Sequence, residues 1–193
     1  LCAFSSEQFY EGRLHALPIL VNQRIDGNAL IRGAGLFYQP VAHQGNSNSS
    51  PEEVEAIVKL VEKLTSKDST WINQNKQSSA LTRENIMIIA PYNAQVAALK
   101  RAMPECRIGT VDKFQGQEAP VVIYSVTSSS ADEAPRGMKF LYHPNRLNVA
   151  SSRARCAIIL IANREIFNPH CHTPEQMSWA NGYCRYLELC KEL

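Results

Sequence analysis

Although the chain holds six cysteines, it has no C-x-x-C pair, and Cys184 and Cys190 stand too far apart for the usual knuckle of zinc ligands. The densest group of ligand types is His170-Cys171-His172. Side chains on adjacent residues do not readily converge on one metal, so reduced, mostly buried thiols are expected and no metal centre. A Cys-His-Asn nucleophilic site lacks any local motif to carry it. The sequence has no apolar run long enough to cross a membrane and no basic segment leading into a short apolar one. The expected setting is therefore cytoplasmic or nuclear, not secreted, with no membrane partner. Charge of one sign is also lacking: Lys+Arg 20 against Asp+Glu 18 leaves a net +2, so any surface for a polyanion has to be basic locally. Finally, nothing of the form G-x-x-x-x-G-K-[ST], the loop that cradles phosphates with its backbone, occurs.

The pattern that is present is that of an α/β domain. At 193 residues the chain is the size of one domain, large enough to bury a core. Val121-Val122-Ile123-Tyr124 and Ile158-Ile159-Leu160-Ile161 are short β-branched apolar runs, the signature of strands buried on both faces of a parallel sheet. Ile86 to Ala90 is a third such run, ended by Pro91. Leu36 to Val41 is a fourth, with Pro40 marking an end or an edge.

Helical signals lie between these runs. Ser50 fits an N-cap, with Pro51 at the first helical position and Glu52 and Glu53 where the helix dipole favours negative charge. Val54, Ile57, Val58 and Val61 then recur at helical spacing, predicting a helix to about Leu64. A second helix is expected from Asn93 to Ala102 with Val96 and Leu99 inward. A third carries Leu147, Val149 and Ala150, capped by Asn145 and presenting Arg153 at its far end. A last one runs from Pro174 to Leu193 with Met177, Tyr183 or Cys184, and Leu187 as its packing stripe. Phe4, Phe9 and Tyr10 are expected to pack around a turn at Glu11-Gly12, and Ser5-Ser6-Glu7 to start one helical turn. Pro18 to Gly35 reads as irregular, Thr65 to Gln77 as a mobile surface connection, Arg107 to Val111 as a short strand, and Ser128 to Arg136 as a polar loop. Phe140-Leu141-Tyr142 reads as an apolar anchor. No repeat or second domain is evident.

Two polar segments precede strands. Thr110-Val111-Asp112-Lys113-Phe114-Gln115-Gly116-Gln117-Glu118 sets a glycine among hydrogen-bonding side chains, so the backbone can turn closely around a polyanion while Gln and Glu reach hydroxyls or phosphate oxygens. Arg153 and Arg155 stand two apart before the next strand, and Arg matches phosphate bidentately without losing its charge. The plainer alternative is a structural ion pair of Glu118 with Arg153 or Arg155, the preferred reading for Arg155. Tyr92 has a plain alternative too, an aromatic packed on the sheet at a turn.

Taken in order, the segments resemble a known set. Val111 to Glu118 is similar to motif V, and Leu147 to Arg155 to motif VI, of superfamily 1 helicases. The resemblance is strongest to the 5′-to-3′ branch that contains the RNA-surveillance helicase and the nuclease-helicases of replication. Ile88 to Gln95, I-I-A-P-Y-N-A-Q, is similar to motif IV, and Ala3 to Leu14 to the segment opening the family's second RecA-like domain. The resemblance implies a RecA-like P-loop NTPase fold without its own Walker A loop. It implies that residues 1–193 are the second, C-terminal motor domain of an ATP-dependent helicase, excised from a larger protein and expected to be inactive alone.

The site residues come from the same resemblance. Gly116, Gln117, Glu118 and Arg153 would meet ATP, with Arg153 as the catalytic arginine finger. Pro91, Tyr92, Asn93, Thr110, Asp112 and Gln115 would meet single-stranded DNA or RNA, and Gln95 is a further candidate. ATP and Mg²⁺ would be held mainly by the first RecA-like domain, the partner across the cleft. Some relatives carry Arg where this chain has Gln117; an amide supplies no charge, which shifts the electrostatic work onto Arg153. The alternative is a noncatalytic RecA-like module that binds nucleic acid or protein.

Overall fold

The computed structural model describes residues 1–193 as one α/β unit. Its central sheet is made of β2 (Gly35–Pro40), β5 (Ile86–Ile89), β6 (Arg107–Gly109), β7 (Ala119–Ser125), β8 (Ala154–Ala162) and β9 (Lys191–Glu192). These six strands lie side by side in the order β6-β5-β7-β8-β2-β9. Every neighbouring pair is parallel. A parallel sheet needs a crossover between strands, and those crossovers cover both faces. Strand residues therefore alternate between two cores. Val122, Tyr124, Ile158 and Leu160 face one core, while Val121, Ile123, Ile159 and Ile161 face the other. This is the mostly parallel, helix-flanked α/β architecture expected from the apolar runs, and it is consistent with the RecA-like fold that the resemblance implies.

The second face is covered by α2 (Pro51–Leu64) and α3 (Asn93–Ala102), through Ile57, Leu60, Val61, Val96 and Leu99. The first face takes α1 (Cys2–Phe9), α5 (Pro144–Ser152) and α6 (Pro174–Leu189), through Phe4, Leu147, Ala150, Tyr183 and Tyr186. The Tyr186 hydroxyl reaches through this layer to donate to the carbonyls of Phe37 (3.1 Å) and Ile158 (3.2 Å). Ser50 caps α2 as expected, its hydroxyl accepting from the Glu53 N–H at 3.2 Å with Pro51 in the first turn.

Several expectations are corrected. The Thr65 to Gln77 stretch is built into a small antiparallel sheet, in which β3 (Thr70–Ile72) lies between β1 (Arg24–Asp26) and β4 (Ser78–Ala80). Asn28 ties this sheet to the end of α2, its amide donating to the carbonyls of Lys63 (2.9 Å) and Leu64 (3.3 Å) and to the Ser69 hydroxyl (2.6 Å). The polar composition that suggested a free loop thus serves as hydrogen-bonding glue. The strand after Arg107 stops at Gly109 and gives way to a 3₁₀ turn over Val111–Phe114. The final helix ends at Leu189, and the residues after it add a strand beside β2. Met177 is 58% exposed, because the buried stripe of that helix is Ala180, Tyr183 and Tyr186. Tyr10 is 49% exposed and does not pack. The cap of α5 is His143, whose Nδ1 accepts from the Asn145 N–H at 3.3 Å.

The alternation of the two cores sets a stability prediction. Ile159 is wholly buried at the centre of β8, so Ile159→Ala should cost about 2–5 kcal/mol in denaturant unfolding. Ser50→Ala, which removes one cap, should cost about 0.5–2 kcal/mol; equal costs for the two would contradict the packing described.

Candidate nucleotide and nucleic-acid edges

The parallel register divides the sequence-derived site residues between two edges of the sheet. Glu118 directly precedes β7 and Arg153 directly precedes β8, and the Ala119 N–H donates to the Arg153 carbonyl at 3.0 Å. Both therefore stand at the amino edge. Pro91 and Tyr92 come after the carboxyl end of β5, and Thr110 after that of β6, where the Ala90 N–H donates to the Gly109 carbonyl at 3.2 Å. Val111 to Gln117 crosses from one edge to the other, so motif V spans both. With a rise of roughly 3.3 Å per residue, the edges lie on the order of 20 Å apart along β7.

At the amino edge, Gly116 has φ +77°, a left-handed conformation that favours glycine, and the space a Cβ would fill is open. Gln117 is held on both sides: its Oε1 accepts from Arg107 Nη2 (3.1 Å) and its Nε2 donates to the Lys113 carbonyl (3.3 Å). Glu118 pairs with Arg155 at 3.0 Å, the ion pair that the sequence allowed for Arg155. Arg153 is different. Its guanidinium donates to the Val149 carbonyl (3.2 Å) and the Ser152 hydroxyl (3.1 Å), both at the end of its own helix, and meets no carboxylate. It is half-buried, so a full positive charge is held at the amino edge with donors to spare. A cleft of about 430 Å³ opens at this edge, lined by Glu118, Ser152 and Arg155 on one side and by Trp71 of the small sheet with Asn73 and Gln74 of its β3–β4 turn on the other, but not by Arg153 itself.

At the carboxyl edge, Asn93 and Asp112 are exposed and Thr110 is half-buried. Gln115, on the crossing segment, is exposed as well. Tyr92 is only 6% exposed: its ring lies 5.5 Å from that of Phe140, and its hydroxyl is 3.3 Å from the Ser128 hydroxyl. This is the packed turn aromatic that the sequence also allowed, and Pro91 beside it is buried too. Gln95 is wholly buried; its Oε1 accepts from the Ser50 N–H (2.8 Å) and its Nε2 donates to the Ser125 hydroxyl (3.0 Å).

Sequence reasoning missed the buried polar array beneath this edge. The first-turn position of Glu53 points to the helix dipole, yet the residue is fully buried. It accepts from the Ser125 hydroxyl and from the Thr127 N–H at 3.1 and 3.0 Å, and lies 3.2 Å from His43 Nε2. His43 Nδ1 is in turn 2.7 Å from the Ser129 hydroxyl. The signal was present: Glu53 precedes Ile57 by one helical turn and so shares the inward stripe of α2. These groups bind the carboxyl ends of β2 and β7 to α2.

Burial raises the Glu53 carboxyl above its ordinary 4.5, opposed by His43, Ser125 and the Thr127 N–H. Among the cysteines, burial pushes the Cys156 thiol up to about 12 and Cys190 to about 11, so neither is a nucleophile at neutral pH. No group of three or more His, Cys, Asp or Glu side chains is placed to hold a metal ion, and no helix is long and apolar enough to cross a membrane.

Comparison with known proteins places this geometry. Residues 1–165 match the profile of the family described as AAA domain. The chain is 27% identical to the putative helicase MOV-10 of Gallus gallus over 159 residues, 72% of this chain and 15% of that protein. It is 35% identical to helicase sen1 of Schizosaccharomyces pombe over 123 residues, 59% of this chain and 7% of that protein. It is 26% identical to the regulator of nonsense transcripts 1 homolog of Arabidopsis thaliana over 188 residues, 87% of this chain and 14% of that protein. The chain belongs to the AAA-domain family, among superfamily 1 helicases of the branch that holds these relatives, as its motifs implied. It spans no more than 15% of the length of any of the three.

Because the folded-state value of Glu53 is raised, the stability this group contributes is complete below pH 4.5 and is lost as pH rises through its folded value. Glu53→Gln keeps the shape and removes the titration, so unfolding free energy measured across that range should fall with pH more steeply in the wild type than in the variant. The exposed Arg155–Glu118 pair should matter far less, with Arg155→Ala costing under about 1 kcal/mol. A larger loss would show that the pair holds the edge together.

Proposed function

We propose that this chain is the second RecA-like motor domain of an ATP-dependent helicase that moves along single-stranded DNA or RNA and unwinds duplexes. The observation that carries the proposal is Arg153, a guanidinium without an acid partner, fixed at the end of α5 where motif VI meets the amino edge of the sheet. The relatives named as helicases support the same reading.

The residues fit a nucleotide in one part only. Arg153 has free donors for a phosphate oxygen, and Gly116 leaves open space beside Gln117 and Glu118. The chain supplies no Walker A lysine, so the β- and γ-phosphates and Mg²⁺ would be held by the first RecA-like domain, with ATP supplying the phosphoryl group. Arg153 would approach across the domain cleft and stabilise charge developing on the transferring phosphoryl oxygens, the role of an arginine finger. Glu118, already engaged by Arg155, would order the edge and reach ribose hydroxyls only by exchanging that partner. At the carboxyl edge, Asn93, Thr110 and Asp112 would meet the strand through side chains and Pro91 and Tyr92 through backbone. Domain closure and reopening would then move the strand past these contacts. The six free cysteines fit a reducing compartment, the cytoplasm or nucleus.

The test is single-strand-stimulated ATP turnover by the full-length protein, with nucleotide binding measured separately. Arg153→Ala should lower turnover by roughly 10³-fold or more while binding is largely kept. Unchanged turnover would remove Arg153 from the chemistry.

A further inference from the structure

The carboxyl edge holds a cationic feature that none of the helicase motifs read from the sequence contains. The Phe140 ring, in α4 (Gly137–Leu141), has the Arg136 guanidinium carbon 4.0 Å and the Arg146 guanidinium carbon 3.7 Å from its centroid. Two guanidinium groups that close to one centroid cannot share a face without overlapping, so the ring is sandwiched between them. Neither guanidinium meets a carboxylate within salt-bridge distance, and neither donates a hydrogen bond within the protein; every close arginine–carboxylate contact in the fold involves a different arginine. Stacking on an aromatic face offsets part of the loss of water while leaving the edges of each guanidinium, where the N–H donors lie, free. The same ring rests against Tyr92, which places the pair at the carboxyl edge beside exposed Asn93.

Two like charges held against one ring, with no acid to neutralise them, suit an anion that can take several N–H donors at once. We infer that Arg136 and Arg146 form a phosphate clamp for the backbone of single-stranded nucleic acid, prearranged by Phe140. The inference rests on the carboxyl edge being the strand-binding edge, as proposed above. Both ring faces are occupied by the arginines, so Phe140 is not open to stack on a base. The clamp therefore reads charge and spacing and contributes affinity without base preference. Arg146 also lies in the first turn of α5, whose last turn leads into Arg153, so one helix carries both arginines. Their backbones stand only roughly 10 Å apart along its axis, and the helix spans part of the distance between the two edges.

The test measures binding of a labelled oligothymidylate to the full-length protein by anisotropy over a series of salt concentrations. Arg136→Gln and Arg146→Gln should each weaken binding on the order of 10-fold at low salt. The double variant should lower the slope of log affinity against log salt by roughly 1.4, two phosphate contacts' worth. Phe140→Leu, which keeps both charges and loosens their placement, should weaken binding with the slope nearly unchanged. Arg136→Lys and Arg146→Lys, which keep charge, should keep the slope and guard against misfolding as the cause. Lys59→Gln, which removes an exposed charge on α2, should change neither quantity. Wild-type binding with an unaltered slope in the double variant would overturn the clamp alone; no binding by the wild type would overturn it together with the reading of the carboxyl edge.

Discussion

The arrangement depends on the parallel register of β5, β7 and β8, which are buried on both faces. Parallel strands cannot be joined by tight turns, so each connection must return across a face and begin at one edge and end at the other. That requirement sorts the polar segments. A segment that leaves a strand stands at the carboxyl edge and one that leads into a strand stands at the amino edge, whatever their distance in sequence. Motif IV residues and Thr110 fall on the first edge, Glu118 and Arg153 on the second.

The edges are built differently. The carboxyl edge is backed by the array of Glu53, His43, Ser125, Thr127 and Gln95, which ties strand ends to α2 and α3 with buried hydrogen bonds. Buried polar groups that are fully partnered fix one geometry, because any shift leaves a donor or acceptor unmet in a low-dielectric interior. The amino edge is more open, with exposed Gly116, Gln117 and Glu118 and a cleft toward the small sheet. A firm edge suits tracking of a strand, and an open edge suits approach to a second domain, which is the division of labour proposed here.

Much of this was legible in the sequence, for identifiable reasons. Buried parallel strands announce themselves as β-branched runs, and α2 announced its start through Ser50 and Pro51, since caps are local chemistry. Motifs V and VI exposed the family because close polar turns tolerate few residue types. The antiparallel sheet was hidden because its strands are only three residues long and one is wholly exposed, so no alternation stood out. Glu53 was hidden because an acidic residue in a first helical turn already has a sufficient surface explanation. Tyr92 and Gln95 were drawn toward the ligand by their motif, while their burial depended on Phe140 and Ser50, remote in sequence. The Arg136 and Arg146 pair could not be read at all without the ring that brings them together.

The central claim is that nucleotide and strand are met at opposite edges of one sheet. The most direct measurement is a cross-linking map of the full-length protein, made with ATP carrying a photoreactive group on its γ-phosphate and, separately, with a photoreactive single strand, each adduct located by mass spectrometry. Nucleotide adducts are predicted between Gly116 and Glu118 or beside Arg153, and strand adducts near Asn93, Thr110 and the Arg136 to Arg146 segment. Both sets of adducts at the same edge, or strand adducts concentrated at Gln117 and Arg153, would contradict that claim.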